Sequence, residues 1–350
     1  MKIFIHITNE GLHPSSWLHQ LPNVCKEFAS VVTGDIFESN LQSVAKEFDA
    51  AIIMPDHFTQ RDVKFIPEIA DFLVRSGVIV FPGREDIAFF DDKVKQSLAF
   101  VAHGISTPET QIFYSKEEAL MASGQMSYPL VKKLRRGSGS FHVSLIESAE
   151  KFRSEVDKMF GSGQAGRISF WFKFYSAITS IKSSKVAVEK IKKIPGYIRN
   201  FRNSKQLDVE RDYFYTQSYI ENEGFDFKVV VVNNKLSYLG RPVRPGDFRA
   251  SGGGVITYDR GLITKEVIDL CSQATEKLKL SCVGFDLVKD KESGKSYIIE
   301  MSYGFSRQAI LDAGEYYDLA TEEWIEASLD VAHEVGEILK AAPTFDQEVA

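Results

Sequence analysis

The chain has 350 residues, of which 44% are hydrophobic and 26% charged, enough for two or more compact domains with a core each. Its 42 Lys and Arg against 48 Asp and Glu give a formal net charge of −6, which argues against a protein that coats nucleic acid. Three cysteines without a CxxC pair support neither a disulfide framework nor a structural zinc site, and no apolar run reaches bilayer length, so we expect a cytoplasmic protein.

The first ninety residues alternate short apolar runs with amphipathic stretches. Residues 3–7, 50–54 and 78–81 read as buried strands, and apolar residues at helical spacing predict a helix over 60–75. Alternating strands and helices predict a parallel α/β sheet. We place this first domain at residues 1–88.

The rest of the chain reads as two further domains, over 89–216 and 217–350. A helix is predicted over 92–103, and a strand over 128–134 leads into a glycine and serine loop. Further along, the sequence predicts strands over 215–220 and 227–232, a turn at Asn233-Asn234, a strand over 236–239, a helix over 264–278, strands over 282–288 and 296–301, and an amphipathic helix over 318–340.

A strongly basic segment interrupts this acidic chain. Residues 151–205 contain thirteen Lys or Arg and three Asp or Glu, a charge of +10, which leaves −16 on the rest. Three interpretations stay open. The segment recruits an anionic substrate; residues 168–205 contact an anionic membrane, with 170–181 as an amphipathic helix; or it is a solvated insertion or a homo-oligomer contact.

Lys133 lies at the end of a predicted strand, just before the loop Gly137-Ser138-Gly139-Ser140. A lysine beside flexible backbone N–H groups suits a polyphosphate. The spacing differs from the P-loop motif. A solvated lysine before a turn is the alternative interpretation.

Asp286 and Glu300 lie on two strands joined by a predicted turn at 291–294. Antiparallel pairing would bring their carboxylates side by side, where they repel unless a cation lies between them. Magnesium bridging to phosphates fits such a pair. The alternative is that one or both carboxylates are open to solvent at an edge.

Four cationic residues lie between the predicted strand over 227–232 and the glycine cluster after position 251, or within that strand: Lys228, Arg241, Arg244 and Arg249. Arg249 precedes a glycine cluster, where a guanidinium can approach an anionic oxygen closely. Surface ion pairing is the alternative for at least one of the four.

The order of these motifs resembles the ATP-grasp superfamily, and most closely its RimK-like and glutathione-synthetase-like carboxylate–amine ligases. The resemblance covers about residues 89–310. It implies an α/β (α+β) fold with an N-terminal parallel α/β domain that precedes a two-subdomain ATP-grasp fold, whose first subdomain forms a lid and carries the basic insertion. The matching motifs are Asp92-Lys93, Gly104-Ile105 with Pro108, 128–133 with Gly137-Ser138, 217–220, 226–229, 247–251, Asp286 and 299–302.

The resemblance implies a role for each matching residue. ATP contacts would come from Lys93, Lys133, Ser138 and Lys228, with Lys133 also near the adenine. Tyr219 and Ile220, after Gln217, would offer backbone groups to the adenine edge, and Asp226 would bond the ribose hydroxyls. Asp286, Glu300 and Ser302 would bind magnesium. Arg249, together with Lys133, would act catalytically and face the transferred phosphate and the acyl-phosphate.

The sequence departs from the family pattern at two places. Ser302 stands where the third magnesium ligand is usually asparagine, which puts the second metal site in doubt. Ser140 and His142 stand where glycines are common in the lid loop, which implies a stiffer or differently shaped lid.

The resemblance also implies the reaction. An ATP-dependent carboxylate–amine ligase would phosphorylate a small-molecule or peptide carboxylate, and an amine would then attack the acyl-phosphate. ADP and phosphate would be the products, and ATP and Mg²⁺ are the implied cofactors. Two alternatives stay open: a small-molecule kinase of the same fold, and a non-catalytic nucleotide-binding protein.

Overall fold

The computed structural model describes residues 1–7, 16–57, 59–137, 142–165, 208–243 and 255–342. These form a mixed α/β protein, as the sequence predicts. By internal contacts the chain divides into two units. Unit 1 comprises Met1–Met54, Ile66–Glu109 and Ile220–Ala350, and unit 2 comprises Pro55–Phe65 and Thr110–Tyr219. The three domains with boundaries at 88 and 216 stay a prediction.

Unit 1 begins with a four-stranded sheet whose strands are all parallel, in the order β2-β1-β3-β4, which confirms the predicted parallel sheet. The predicted helix over 60–75 is also confirmed, whereas the partly exposed strand β2 carried no clear apolar pattern. The elements are β1 Lys2–His6, a 3-10 turn Trp17–Gln20, α1 Leu21–Lys26, β2 Ser30–Gly34, α2 Leu41–Glu47, β3 Ala50–Ile52, α3 Gln60–Arg75, of which residues 60–65 belong to unit 2, β4 Ile79–Phe81, α4 Arg84–Phe89 and α5 Lys93–Ala102.

Unit 2 is built on an antiparallel sheet in the order β5-β10-β6-β7, with a separate two-stranded ladder of β8 and β9. Phe152 of α7 is fully buried and meets the ring of Phe214 edge-on at 4.9 Å. The elements are β5 Thr110–Phe113, α6 Lys116–Ala122, β6 Leu130–Lys133, β7 Ser144–Ile146, α7 Ala149–Met159, β8 Gln164–Ala165, β9 Val209–Glu210 and β10 Phe214–Ser218.

The predicted basic insertion begins inside a helix of this unit. Phe152, Val156 and Met159 of α7 are buried in the core of unit 2, so residues 151–159 are an integral helix. β8 and β9 pair antiparallel, with Gln164 opposite Glu210. The described residues that flank 166–207 therefore lie on adjacent strands. Residues 166–207, with most of the basic segment, lie outside the described residues.

Unit 1 also contains a six-stranded antiparallel sheet in the order β14-β13-β11-β12-β15-β16. The predicted hairpin turn is confirmed, because Asn233 and Asn234 adopt positive φ angles of 50° and 58°, as the tight turn requires. The elements are β11 Asn222–Val232, β12 Lys235–Pro242, a 3-10 turn Arg260–Leu262, α8 Lys265–Lys277, β13 Cys282–Asp290, β14 Ser296–Ser302, α9 Arg307–Leu311, β15 Tyr316–Asp318, β16 Glu323–Ile325 and α10 Val331–Ala341.

The helix predicted over 318–340 is wrong in its first half. Residues 316–325 form the strand pair β15 and β16, in which Trp324 packs edge-on against Tyr317 and Tyr238. The helix begins only after Asp330, whose side chain caps it by accepting from the N–H of Ala332. Tertiary packing of an aromatic residue at the sheet edge therefore outweighs the helical spacing.

Two apolar clusters hold unit 1 together. One joins the parallel sheet to α10, and the other joins β11 and β13 to α8. The three cysteines are buried and unlinked, as expected. Among the described residues, no helix is both long enough and apolar enough to span a bilayer.

Candidate functional site

Asp286 of β13 and Glu300 of β14 lie directly opposite each other, as the sequence predicts. Lys228 of β11 is in turn opposite Asp286, so the three residues form a row across one face of the antiparallel sheet. The two carboxylates remain partly exposed, at 20% and 28% of their side-chain surface. A small ligand can therefore reach both.

Asp286 is bound by two cations. Its Oδ1 lies 2.7 Å from Lys228 Nζ and 2.9 Å from Arg241 Nη2. Arg241 also donates through Nε and Nη2 to the two oxygens of Asp226, at 2.7 and 3.0 Å. Arg241 is thus the central cation of the cluster, with a bidentate bond to one carboxylate and a single bond to another.

The charged groups of this cluster shift one another's pKa values. Burial would raise the pKa of the Asp286 carboxyl, but Arg241 and Lys228 outweigh it and hold that pKa below its ordinary value. Asp226 is more deeply buried, and burial raises its pKa to about 6 against the attraction of Arg241. Burial lowers the pKa of Arg241, but Asp286 and Asp226 raise it more. Of the two carboxylates bound by Arg241, Asp286 is therefore the one that stays ionised to lower pH.

Glu300 has its own cation. Lys93, the first residue of α5, is buried and places Nζ 3.0 Å from Glu300 Oε1 and 3.9 Å from Asp91 Oδ1. Gln96, one turn further along α5, accepts from the N–H of Met301 and donates to its carbonyl. This clamp fixes β14 next to Glu300, so the position of Lys93 relative to Glu300 is set by backbone contacts.

Ser302 ends β14, and its Oγ accepts from the N–H of Gly304 at 3.0 Å. The described residues hold no cluster of three or more His, Cys, Asp or Glu that could bind a metal. Two carboxylates and a hydroxyl nevertheless fit Mg²⁺, which is usually held by one or two carboxylates together with substrate phosphates and water. The donor set thus suits a magnesium–nucleotide complex better than a resident metal.

Unit 2 contributes a further predicted site cation. Lys133 of β6 is buried, and its Nζ donates to Gln217 Oε1 at 2.7 Å. Gln217 of β10 donates in turn to Thr110 Oγ1 at 3.1 Å. The neighbouring Lys132 lies on the opposite face of the sheet, because side chains alternate along a strand. Lys133 and Gln217 are therefore in direct contact, and their binding to one ligand stays a prediction.

For the remaining predicted residues the structure gives few contacts or none. The N–H of Tyr219 donates to the Pro129 carbonyl at 3.4 Å, a long bond that a ligand acceptor could replace. Ile220 is the first residue of the last segment of unit 1. Ser138, Arg244 and Arg249 lie outside the described residues.

No protein-family model and no curated protein matches this sequence. Solved structures do match in fold. A RimK-domain ATP-grasp protein from Sphaerobacter thermophilus has 14% identity and a TM-score of 0.57, with 97% of this chain and 100% of that chain covered. The D-cycloserine synthetase DcsG has 13% identity and a TM-score of 0.57, with 97% and 98% covered. A Bacillus anthracis D-alanine–D-alanine ligase complexed with ATP has 12% identity and a TM-score of 0.54, with 97% and 99% covered.

The chain has the ATP-grasp fold. Its candidate site residues are distributed over both units. Unit 2 carries Lys133, Gln217 and Tyr219, and unit 1 carries Lys93, Ile220, Asp226, Lys228, Asp286, Glu300 and Ser302.

Two residues of the candidate site make contacts that sequence reasoning missed. Arg241 was only one of four candidate cations, although the turn at Asn233-Asn234 fixes the hairpin register and puts Arg241 opposite Asp226. The sequence gives one indication for Gln96: it lies three residues after Lys93 and therefore on the same face of the predicted helix as that candidate site residue. Its backbone clamp on Met301 is a long-range contact that no local pattern indicates.

Proposed function

We propose that this protein is an ATP-dependent carboxylate–amine ligase that works through an acyl-phosphate and releases ADP and phosphate. One observation carries the proposal: an ATP-grasp fold in which Asp286 and Glu300 stand in register, with Lys228, Arg241 and Lys93 bonded to them. Ionised carboxylates interleaved with fixed cations suit a charged polyphosphate with its metal.

The nucleotide would be ATP, the ligand named for the D-alanine–D-alanine ligase of similar fold. Lys133 and Lys93 are proposed to contact its phosphates. Their present partners, Gln217 and Glu300, hold each ammonium in one position, so little side-chain entropy is lost on binding. The ribose role implied for Asp226 stays a prediction, since that carboxylate is engaged by Arg241.

Magnesium would be held by Asp286 and Glu300, with Ser302 as a further oxygen donor. When bound, this ion neutralises phosphate charge and polarises the phosphoryl group. The low pKa of Asp286 keeps its carboxylate anionic at neutral pH. Lys228 and Arg241 supply the opposite charge on the other side of the same carboxylate.

The proposed reaction has two steps. An oxygen of the substrate carboxylate attacks the γ-phosphorus, the bond from that phosphorus to the β–γ bridging oxygen breaks, and ADP leaves. The amine nitrogen then attacks the acyl carbon, phosphate leaves with the C–O electron pair, and the amine loses a proton to solvent. The cations bind and orient the anionic groups throughout, because phosphoryl transfer depends mainly on positioning and charge stabilisation.

One observation favours a second candidate, a nucleotide-binding protein without turnover. Ser302 replaces the usual asparagine and already accepts a backbone hydrogen bond. A weakened second metal site would leave nucleotide binding intact and slow phosphoryl transfer.

Trapping with hydroxylamine tests the proposal, because hydroxylamine replaces the unknown amine and only the carboxylate must be varied. The protein is incubated with ATP, Mg²⁺, hydroxylamine and pools of amino acids, small carboxylates and sugar acids. Hydroxamate together with ADP supports an acyl-phosphate. ADP formed with a hydroxyl compound, and no hydroxamate, would instead indicate a kinase. Bound ATP without ADP in any pool would indicate the nucleotide-binding protein.

A further inference from the structure

Gln164 lies at the centre of a polar network on the face of the unit 2 sheet opposite Lys133. Lys132 Nζ donates to Gln164 Oε1 at 2.7 Å and to Glu155 Oε2 at 2.7 Å. Gln164 Nε2 lies 2.7 Å from His142 Nδ1. Lys132 is only 2% exposed, so its ammonium depends on these partners.

This network fixes the direction of every hydrogen bond. A lysine ammonium only donates, so the atom of Gln164 that faces it is the carbonyl oxygen, and the NH₂ group faces His142. His142 Nδ1 must then accept, which requires the neutral imidazole with its proton on Nε2. Protonation of Nδ1 would set two donors against each other and break the bond.

His142 is the first described residue after the glycine and serine segment, and it stands where the family commonly has glycine. Its φ is 61°, in the left-handed region that glycine adopts without strain. A non-glycine residue there is strained, because its Cβ lies too close to the following carbonyl oxygen. The bond from Gln164 is a contact that glycine could not make, and it helps to hold His142 in this conformation.

We propose that Gln164 is a positioning residue for nucleotide binding, which ties His142 to the strand that carries Lys133. The inference rests on the proposed function. Lys132 and Lys133 are neighbours on β6, so the network fixes that strand from one face while Lys133 acts on the other. Nucleotide affinity should therefore fall when His142 takes up a proton.

The surrounding charges allow this titration to be isolated. Lys132 and, at 3.4 Å, Lys158 face Gln164 Oε1, and Glu155 is shared between Lys132 and Lys151. On the neighbouring strand β9, Glu210 accepts from the Tyr213 hydroxyl at 2.8 Å. Of these groups, only His142 has an ordinary pKa between 6 and 7.

Substitutions at position 164, one of which introduces a carboxylate, give the decisive experiment. The dissociation constant for ATP with Mg²⁺ is measured between pH 5.5 and 8 for the wild type, Gln164→Ala and Gln164→Glu. Gln164→Ala should raise that constant about three- to tenfold at pH 8, the loss expected for one hydrogen bond. Gln164→Glu can accept from Lys132 and from His142, both as the imidazolium and as the neutral tautomer with its proton on Nδ1, so its affinity should not show the loss at low pH that the wild type shows.

Two controls separate positioning from folding. His142→Gly removes the side chain but keeps the backbone conformation, and should remove the His142 part of the pH dependence, so that only the part due to Asp226 and the ATP phosphates remains. Gln125→Ala, an exposed glutamine of the same unit, should bind ATP like the wild type. Thermal melting of every variant verifies that it is folded.

A readout without nucleotide completes the test. The His142 imidazole signal, assigned by its absence in His142→Gly, should titrate at a higher pH in Gln164→Glu than in the wild type. Equal midpoints, or ATP affinity that Gln164→Ala leaves unchanged, would overturn the proposal and leave the proposed function standing. A wild type that binds no ATP would overturn the proposed function as well.

Discussion

Asp226 and Arg241 face each other across the β11–β12 hairpin and are joined by two hydrogen bonds of 2.7 and 3.0 Å. Arg241 reaches from this pair to Asp286, so the hairpin register sets the position of a cation at the candidate magnesium site. Stability and site geometry therefore depend on the same guanidinium.

Arg241→Gln should destabilise the protein by about 3–5 kcal/mol, because it leaves the buried Asp226 carboxylate without its partner. Chemical denaturation at pH 7 measures this. Arg75→Gln is the matched control, since Arg75 forms an exposed pair with Asp71 on α3, and it should change stability little. The double variant Asp226→Asn with Arg241→Gln should lose less than the sum of the single changes. Strict additivity would contradict the coupling.

Glu300→Gln should raise the Mg²⁺ concentration needed for half-maximal ATP binding by about tenfold or more, since an amide oxygen is a weaker ligand for a hard cation. Calorimetric titration of ATP at a series of Mg²⁺ concentrations measures this. Glu292→Gln removes the same charge at an exposed position in the turn after β13, away from the site, and should behave like the wild type. An equal Mg²⁺ requirement in Glu300→Gln and Glu292→Gln would exclude Glu300 as a ligand.

Glu155 should contribute stability that disappears in acid. Burial would raise the pKa of its carboxyl, but hydrogen bonds from Lys132 and Lys151 lower it to about 2. A carboxyl with a lowered folded-state pKa stabilises the fold above its unfolded value of 4.5, and this contribution falls as pH drops towards 2. Glu155→Gln should thus be less stable than the wild type at pH 7, by about 1–2 kcal/mol once solvent screening of this partly exposed pair is taken into account, with a smaller gap at pH 3.5. A gap independent of pH would contradict the assignment.

The basic segment supports a prediction from sequence alone. If residues 168–205 contact a membrane, the protein should sediment with vesicles containing anionic lipid at low salt and be released at high salt. Vesicles of neutral lipid are the control. Absence of binding at low salt would remove the membrane hypothesis and leave recruitment of an anionic substrate, a solvated insertion and an oligomer contact.

Local sequence patterns predicted much of the fold. Apolar periodicity located α3, and apolar runs located three of the four strands of the parallel sheet, while the Asn233-Asn234 turn located the hairpin. The pairing of Asp286 with Glu300 followed from two strands and one turn. Each of these depends on contacts between residues close in sequence, which a pattern can encode.

Long-range contacts were the parts that the sequence did not predict. Trp324 packs on Tyr238, 86 residues away, and thereby replaces the predicted start of the last helix by a strand pair. Gln96 binds the backbone of Met301, and Gln164 binds Lys132. Nothing in the local spacing of these residues distinguishes them from ordinary polar surface, because their roles arise only when distant elements pack together.

Release of ADP from ATP, with Mg²⁺ and pairs of carboxylates and amines, tests the central claim most directly. The wild type should release ADP at an appreciable rate only when a carboxylate and an amine are both present. Lys133→Ala should abolish the release, since Lys133 is proposed to bind the phosphates, whereas Lys116→Ala, an exposed lysine of the same unit, should retain it. Release in Lys133→Ala at the wild-type rate, or release that needs no carboxylate, would contradict the account.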